Sequence, residues 1–284
     1  NHFKINPKNF QQCGVLQLAF NEREQKRIAA VINDYPELVH TVDKTHASEL
    51  SGIYIEHAGM FIPKAGWLNP AAFCEALTAH SNIQRLMHSK VLRLEKTAHG
   101  WQVFSSNQLI AEADNIIIAN AADAQTFQQT SHCQMQSVRG QITLLPVTAA
   151  SQQLKTVICT DGYLSPPRQG LHCLGATFSP NDCGTEVRLS DHQSNLNMLK
   201  SLAPEWNEKE FDINALQGRA AIRASTSDYL PVAGAVLDMA QLKDKMPRYN
   251  AEPSSLPWLE GLYINAGHGA KGLVNAPICA EIIA

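Results

Sequence analysis

Apolar and polar positions follow two different rhythms along this chain. Residues 13–20, CGVLQLAF, form a short apolar run of strand type. Asn21 then opens NEREQKRIAAVIND, where apolar positions recur at helical spacing behind acidic residues near the start. Residues 52–62 carry turn and strand signals. GWLNP at 66–70 is a turn, and Asn69 followed by Pro70 starts the helix AAFCEALTAH. VLRLEK (91–96) alternates, and WQVFSS (101–106) follows a turn at His99 and Gly100. NIIIAN (115–120) is a continuous apolar run, the pattern of a strand buried on both faces.

From Val138 the rhythm changes. VRGQITLLP, TVICTDGYLSPP and LHCLGATFS read as strands joined by Gly, Pro and Asp turns, which predicts a mixed or antiparallel sheet. SDHQSNLNMLKSLAP is a helix capped by Ser190 or Asp191 and stopped before Pro204, and GRAAIRAS is another strand. Residues 238–257 are polar and Pro-containing and predict a surface excursion. LEGLYINAGHGAKGLVNAPICAEIIA closes the chain as strand, glycine turn and helix. The fold class is therefore α/β with α+β character, built from two interleaved domains. Residues 1–65 and 131–225 form a sheet-rich domain, and residues 66–130 and 226–284 form parts of an α/β domain. Interleaved domains predict a cleft, where ligands usually bind.

Composition narrows this. The 284 residues are 44% hydrophobic and 17% charged, which suits a globular protein with a core. A net charge of −3 excludes a broad basic surface for nucleic acid, so any RNA contact is local or supplied by another domain. Seven cysteines, an odd number with no CxxC pair, argue against a disulfide framework or a zinc site and for a reducing compartment. Each is expected to be buried or half-buried. No apolar run reaches the roughly 18 residues that span a bilayer, and no signal-peptide pattern opens the chain. The chain begins at Asn1 without a methionine and ends inside an apolar helical pattern, so both ends read as cuts in a longer polypeptide.

Three stretches can carry chemistry. In YINAGHGAKGLVNAP (263–277) an apolar strand runs into Gly267, Gly269 and Gly272 and then a helix. Such a turn is either a connector or a cradle where backbone approaches a ligand and the helix start favours negative charge. In RAAIRASTSDYLPVAG (219–234), Arg223 sits in an apolar stretch and needs a partner. That partner is a substrate carboxylate or an internal acid such as Asp228. In DGYLSPPRQGLHCLGAT (161–177), Tyr163 either points its hydroxyl into the cleft or lies on a sheet edge. His268 is either a general base or a residue ordering its turn, and we favour the second. The other ten histidines lack metal-ligand spacing, so no metal is expected.

Taken in order, CGVLQLAFNE, GWLNP, VRGQITLLP, DGYLSPPRQGLHCLGATFSPND, IRASTSDYLPVAG and GHGAKGLVNAPICAEIIA resemble the D-amino-acid-oxidase family, which includes glycine oxidase and sarcosine oxidase. The resemblance covers nearly the whole chain and is closest to the oxidoreductase halves of bifunctional tRNA-modifying members. It implies FAD as cofactor, bound by the α/β domain. It implies oxidation of the C–N bond of 5-carboxymethylaminomethyl-2-thiouridine at the tRNA wobble position, leaving an aminomethyl group. tRNA is then a partner. So is a fused N-terminal methyltransferase domain using S-adenosylmethionine, in the cytoplasm and away from membranes. By the same resemblance, Arg223 holds the substrate carboxylate and Tyr163 lines its pocket. Gly267, His268, Gly269, Ala270, Lys271, Gly272 and Leu273 face the isoalloxazine, Val91 meets the adenine part, and Ala119 lies near the pyrophosphate.

There are departures. The GxGxxG motif that opens the family's oxidase domain is absent, so this chain alone is expected to bind FAD poorly and to be inactive. NIIIANAAD lacks the glycine that usually follows its strand, and Lys271 stands where Arg is common. Two other readings stay open: an oxidase of small amines or amino acids, and a non-catalytic chain that binds RNA or a partner.

Overall fold

The computed structural model describes residues 6–244, 247, 248 and 250–284. They form two compact units. The first comprises Asn1–Ile83, Gly140–Phe178 and Gly184–Ala221, and the second Gln84–Arg139, Ser179–Cys183 and Ile222–Ala284. Chain crossings thus fall near 83, 139 and 221, where the sequence pattern suggested 65, 130 and 225.

The first unit is built on a sheet. From Gly140 onward, strand Gln136–Pro146 pairs antiparallel with Leu171–Gly175, followed in order by Tyr163–Leu164, Val157–Cys159, Val15–Leu18, Gly59–Ile62 and His40–Val42. All these neighbours are antiparallel except Val157–Cys159 and Val15–Leu18, which run parallel. Alternation puts Leu16 and Leu18 on one face, where they meet Ile158, Leu164 and Leu174. Helix Leu189–Leu202 lays Leu196, Leu199 and Leu202 on the same cluster. Helix Glu22–Asp34 starts where its cap predicts, the Asn21 side chain accepting from the Glu24 amide at 2.9 Å, and buries Ile28 against Val39 and Met60. Helix Pro70–Leu77 is likewise capped by Asn69, which accepts from the Ala72 amide.

One start differs from expectation. The helix read as capped by Ser190 or Asp191 begins at Leu189, with Arg188 at the cap and no capping side chain of its own. Gln141, fully buried on a neighbouring strand, does the work instead. Its Oε1 accepts from the Arg188 amide at 2.8 Å and its Nε2 donates to the Arg188 carbonyl at 2.9 Å. A tertiary contact replaced the local cap.

The second unit holds two small sheets. Arg93–Thr97, Gly100–Ser105 and Gln108–Ala113 form an antiparallel meander. Its third strand was not apparent in the sequence, where Gln, Glu and Ala dilute the alternation. Trp101 anchors the meander, its buried indole N–H donating to the Glu260 carbonyl at 3.0 Å. The other sheet has the order Val232–Leu237, Trp258–Ala266, Ile116–Ile118. The last two run parallel and the first is antiparallel.

Ile116–Ile118 is not buried on both faces. Ile118 enters the core but Ile117 is 55% exposed, because the strand lies at a sheet edge with only one face covered. Within the expected excursion 238–257, Met239–Asp244 is a helix, while Lys245, Met246 and Tyr249 lie outside the described residues. All seven cysteines are free, and Cys74 and Cys183 are exposed rather than buried. Among the described residues no helix is long and apolar enough to cross a membrane.

Candidate functional site

The site in the second unit grows out of the parallel pair. Ile118 lies opposite Ile264, so Ala119 and the residues after Ile264 leave the sheet at the same, carboxyl end. That end is where open α/β sheets place ligands. The strand Trp258–Ala266 delivers Gly267 there, buried and with φ 77°, a backbone that only glycine adopts without strain. A Cβ on Gly267 would stand 3.0 Å from Thr226 Cγ2. One on Gly269, at φ 55°, would stand 3.3 Å from Ser225 Oγ. The glycines are thus required twice, by the dihedral angles and by the strand packed beside them.

A 3₁₀ turn, Gly269–Lys271, leads into helix Gly272–Ile283, whose first turn has no side-chain cap. Its leading N–H groups are open to an anionic or acceptor group. The spacing Gly267, Gly269, Gly272 also satisfies G-x-G-x-x-G between strand and helix, a point the absence of the family's opening motif had obscured. Two polar atoms beside the turn, Asn265 Oδ1 and His268 Nδ1, are buried with no hydrogen-bond partner among the described residues. A buried group without a partner costs stability unless something else satisfies it. A planar ring that offers both donors and acceptors, as the pyrimidine end of a flavin does, fits these atoms and the side-chain-free backbone. Burial pushes the His268 pKa down, so the imidazole is neutral near pH 7.

Arg223 belongs to the same end of the unit. It is half-buried on strand Gln217–Ser225, and Ser225 forms an isolated antiparallel bridge with His268. Arg223 and Ser225, two residues apart, share one strand face. The structure thus places Ser225 beside His268, with Arg223 two residues before it on the same strand. Ala270, Lys271 and Leu273 are exposed along the turn and helix start, and Gly272 is half-buried between them. Val91 packs against the cluster that contains Ile118, and Ala119 is exposed just beyond that strand. Asp228 turns to its own loop. It accepts from the Leu230 amide at 3.0 Å, and that bond, with one to Thr226, holds its carboxyl below the usual range. Tyr163 lies in the first unit, paired with Cys159 and Gly175, and its side chain hydrogen-bonds the Cys173 thiol.

Sequence reading missed several residues. Ser225, Thr226 and Asn265 have no pattern of their own, and only the bridge to His268 and the packing against the glycines reveal them. A buried polar group in the first unit was missed too. Thr143 Oγ1 and His192 Nδ1 lie 2.8 Å apart, and Asn195 Nδ2 donates to Thr143 Oγ1 at 2.9 Å. Burial raises the thiol pKa of Cys13, Cys133 and Cys173 and pushes Cys159 to about 11, so none of these four is a poised nucleophile. Among the described residues no group of three or more His, Cys, Asp or Glu is placed to hold a metal.

Comparison with known proteins gives the family and the fold. A family model described as FAD dependent oxidoreductase matches residues 2–284. The tRNA 5-methylaminomethyl-2-thiouridine biosynthesis bifunctional protein MnmC of Methylobacillus flagellatus is 47% identical over 276 residues, covering 96% of this chain and 42% of that protein. The chain thus spans under half the length of this relative. Among solved structures, glycine oxidase from Bacillus cereus superposes with a TM-score of 0.72 at 19% identity, over 97% of this chain and 73% of its own. L-alpha-glycerophosphate oxidase from Mycoplasma pneumoniae, solved with FAD bound, gives 0.71 at 18% identity, over 96% of this chain and 72% of its own. At such identities the likeness is one of fold.

Proposed function

The chain belongs to the FAD dependent oxidoreductase family, and from that premise we propose that it is the oxidoreductase half of a bifunctional tRNA-modifying enzyme. Its substrate is 5-carboxymethylaminomethyl-2-thiouridine at the wobble position. The likeness to the Methylobacillus relative across nearly the whole chain carries this reading. The turn Gly267–Leu273, Val91 and Ala119 would hold FAD at its isoalloxazine, adenine and pyrophosphate parts, and the cofactor would supply the acceptor for the hydride removed from the carbon beside the amine nitrogen.

The protein's part is to bind and orient. The Arg223 guanidinium takes the substrate carboxylate in a two-pronged contact that fixes the adjacent carbon. By the family resemblance, Tyr163 is a further substrate contact. Neutral His268 orders the turn without adding a charge. Water then hydrolyses the oxidised C–N bond, releasing the carboxymethyl group as glyoxylate and leaving the aminomethyl group on the base. A fused methyltransferase domain with S-adenosylmethionine methylates that amine, and the whole protein works in the cytoplasm.

The test uses the intact protein loaded with FAD and mixed anaerobically with tRNA carrying the carboxymethylaminomethyl group. Flavin bleaching and formation of the aminomethyl base support the reading. Oxidation of glycine or sarcosine but not of the tRNA replaces it with a small-molecule amine oxidase. Arg223→Ala should weaken productive binding of the carboxylate substrate by about 2–5 kcal/mol, the loss from removing one partner of a desolvated charge pair. Unchanged steady-state kinetics would return Arg223 to a structural role.

A further inference from the structure

A hollow of about 400 Å³ opens on the first unit between Lys8, Phe10, Gln11, Trp67 and Arg168. The segments that build it, 6–14, 62–70 and 163–175, carry Lys8, Lys64 and Arg168 and no Asp or Glu, in a chain of net charge −3. Cationic charge is therefore concentrated here against the overall balance.

The hollow is ordered by specific contacts. Strands Phe10–Gln11 and Trp67–Leu68 pair antiparallel, with Trp67 Nε1 donating to Gln11 Oε1 at 3.2 Å. Arg168 Nε donates to the Lys8 carbonyl at 2.9 Å and Nη2 to Asn9 Oδ1 at 2.8 Å. Its guanidinium carbon lies 5.5 Å from the centre of the Trp67 ring. Both hydrogen-bond acceptors are neutral, and no carboxylate pairs with Arg168 among the described residues. The guanidinium is thus fixed in place with its charge uncompensated. Phe10 is 43% exposed at the same hollow.

An immobilised Arg and a Lys beside two accessible aromatic rings form a combination with a definite partner. The cations hold a phosphate and the ring faces stack a base, which is how unpaired nucleotides are gripped. We propose that this hollow binds an unpaired nucleotide of the tRNA substrate, so that a chain without a broad basic surface still holds RNA through a local site. The proposal rests on the tRNA reading given above.

The experiment separates the two. With the intact FAD-loaded protein, tRNA affinity is measured across a salt series for the wild type, a Lys8→Glu/Arg168→Gln double variant, Lys8→Glu alone and Phe10→Ala. Oxidation of the free modified nucleoside is measured in parallel. The double variant should bind tRNA at least tenfold more weakly and lose about 0.7 from the slope of log affinity against log salt, the value for one phosphate contact on a single strand. Lys8→Glu changes an exposed side chain but keeps the backbone carbonyl that accepts from Arg168, and should show part of the same change without disturbing the fold. Phe10→Ala should weaken binding without altering the slope, since stacking releases no counterions. Nucleoside oxidation should stay at the wild-type rate throughout. Wild-type affinity and slope in the double variant overturn the proposal, as does a loss of nucleoside oxidation parallel to the loss of affinity. If the wild type oxidises no tRNA while the double variant still loses RNA affinity, the functional reading fails and the site stands.

Discussion

The two units cover their sheets and helices to different extents. In the first, Leu16, Leu18, Ile158, Leu164 and Leu174 are all sealed, and helix Leu189–Leu202 closes the cluster from one side. In the second, Leu262 and Ile264 are equally buried, yet Ile117 on the edge strand and Val274, Ile278 and Ile282 on the last helix stand in solvent. Only Cys279 of that helix is buried. Exposed apolar patches on this scale mark contact surfaces rather than stable exteriors. The unit that packs best is thus not the one that carries the glycine turn. The candidate site occupies the less completely covered unit.

Core truncation sharpens this contrast most. Leu174→Ala in the first unit should cost about 2–5 kcal/mol, whereas Ile278→Ala in the second should cost no more than ~0.5 kcal/mol. Urea unfolding of each variant checks this, and equal losses would break the comparison. Gly269→Val comes next. Its φ of 55° and the 3.3 Å approach to Ser225 Oγ predict a stability loss of about 1–3 kcal/mol alongside weaker FAD binding in the intact protein. Normal stability with lost FAD would show that the turn tolerates a side chain and that only the ligand needs the space.

A smaller effect of opposite sign is expected at Ala121. It holds φ 55° just after strand Ile116–Ile118, a left-handed backbone that favours glycine. Ala121→Gly removes that strain but adds freedom to the unfolded chain, so a gain of up to about 1 kcal/mol is expected in the same unfolding assay.

The shallowest effect is on pH. Burial lowers the pKa of His172 from 6.5, while its Nδ1 and Nε2 stay 2.9 Å from the Ser165 carbonyl and Ser151 Oγ. Below that value the unfolded chain takes a proton that folded His172 resists. Stability is therefore full above pH 6.5 and declines as pH falls. His172→Gln should flatten the decline for the first unit, and His268→Gln, whose pKa burial also lowers, should do so for the second. Urea midpoints at about pH 7.5 and 5.5 compare the two.

Much of this was legible along the chain because it depends on neighbours in sequence. Asn21 and Asn69 cap their helices by accepting from amides three residues on. The strand, glycine turn and helix of 258–283 follow from apolar runs broken by Gly267, Gly269 and Gly272. The residue types at Arg223 and Lys8 announce charge in apolar or aromatic company. What the chain could not announce depends on partners far away in sequence. Gln141, and not Ser190 or Asp191, starts helix Leu189–Leu202, because a buried amide from another strand satisfies Arg188. NIIIAN reads the same whether one face or two are covered, and only the packing leaves the face that carries Ile117 open. The parallel register of Ile118 with Ile264 brings Ala119 and the glycine turn to one end of a sheet, and the bridge of Ser225 to His268 sets a strand from another sheet beside that turn. Local rules choose each element through short-range hydrogen bonds and hydrophobic period. Which elements become neighbours is settled by packing and strand pairing over distances that no sequence window contains.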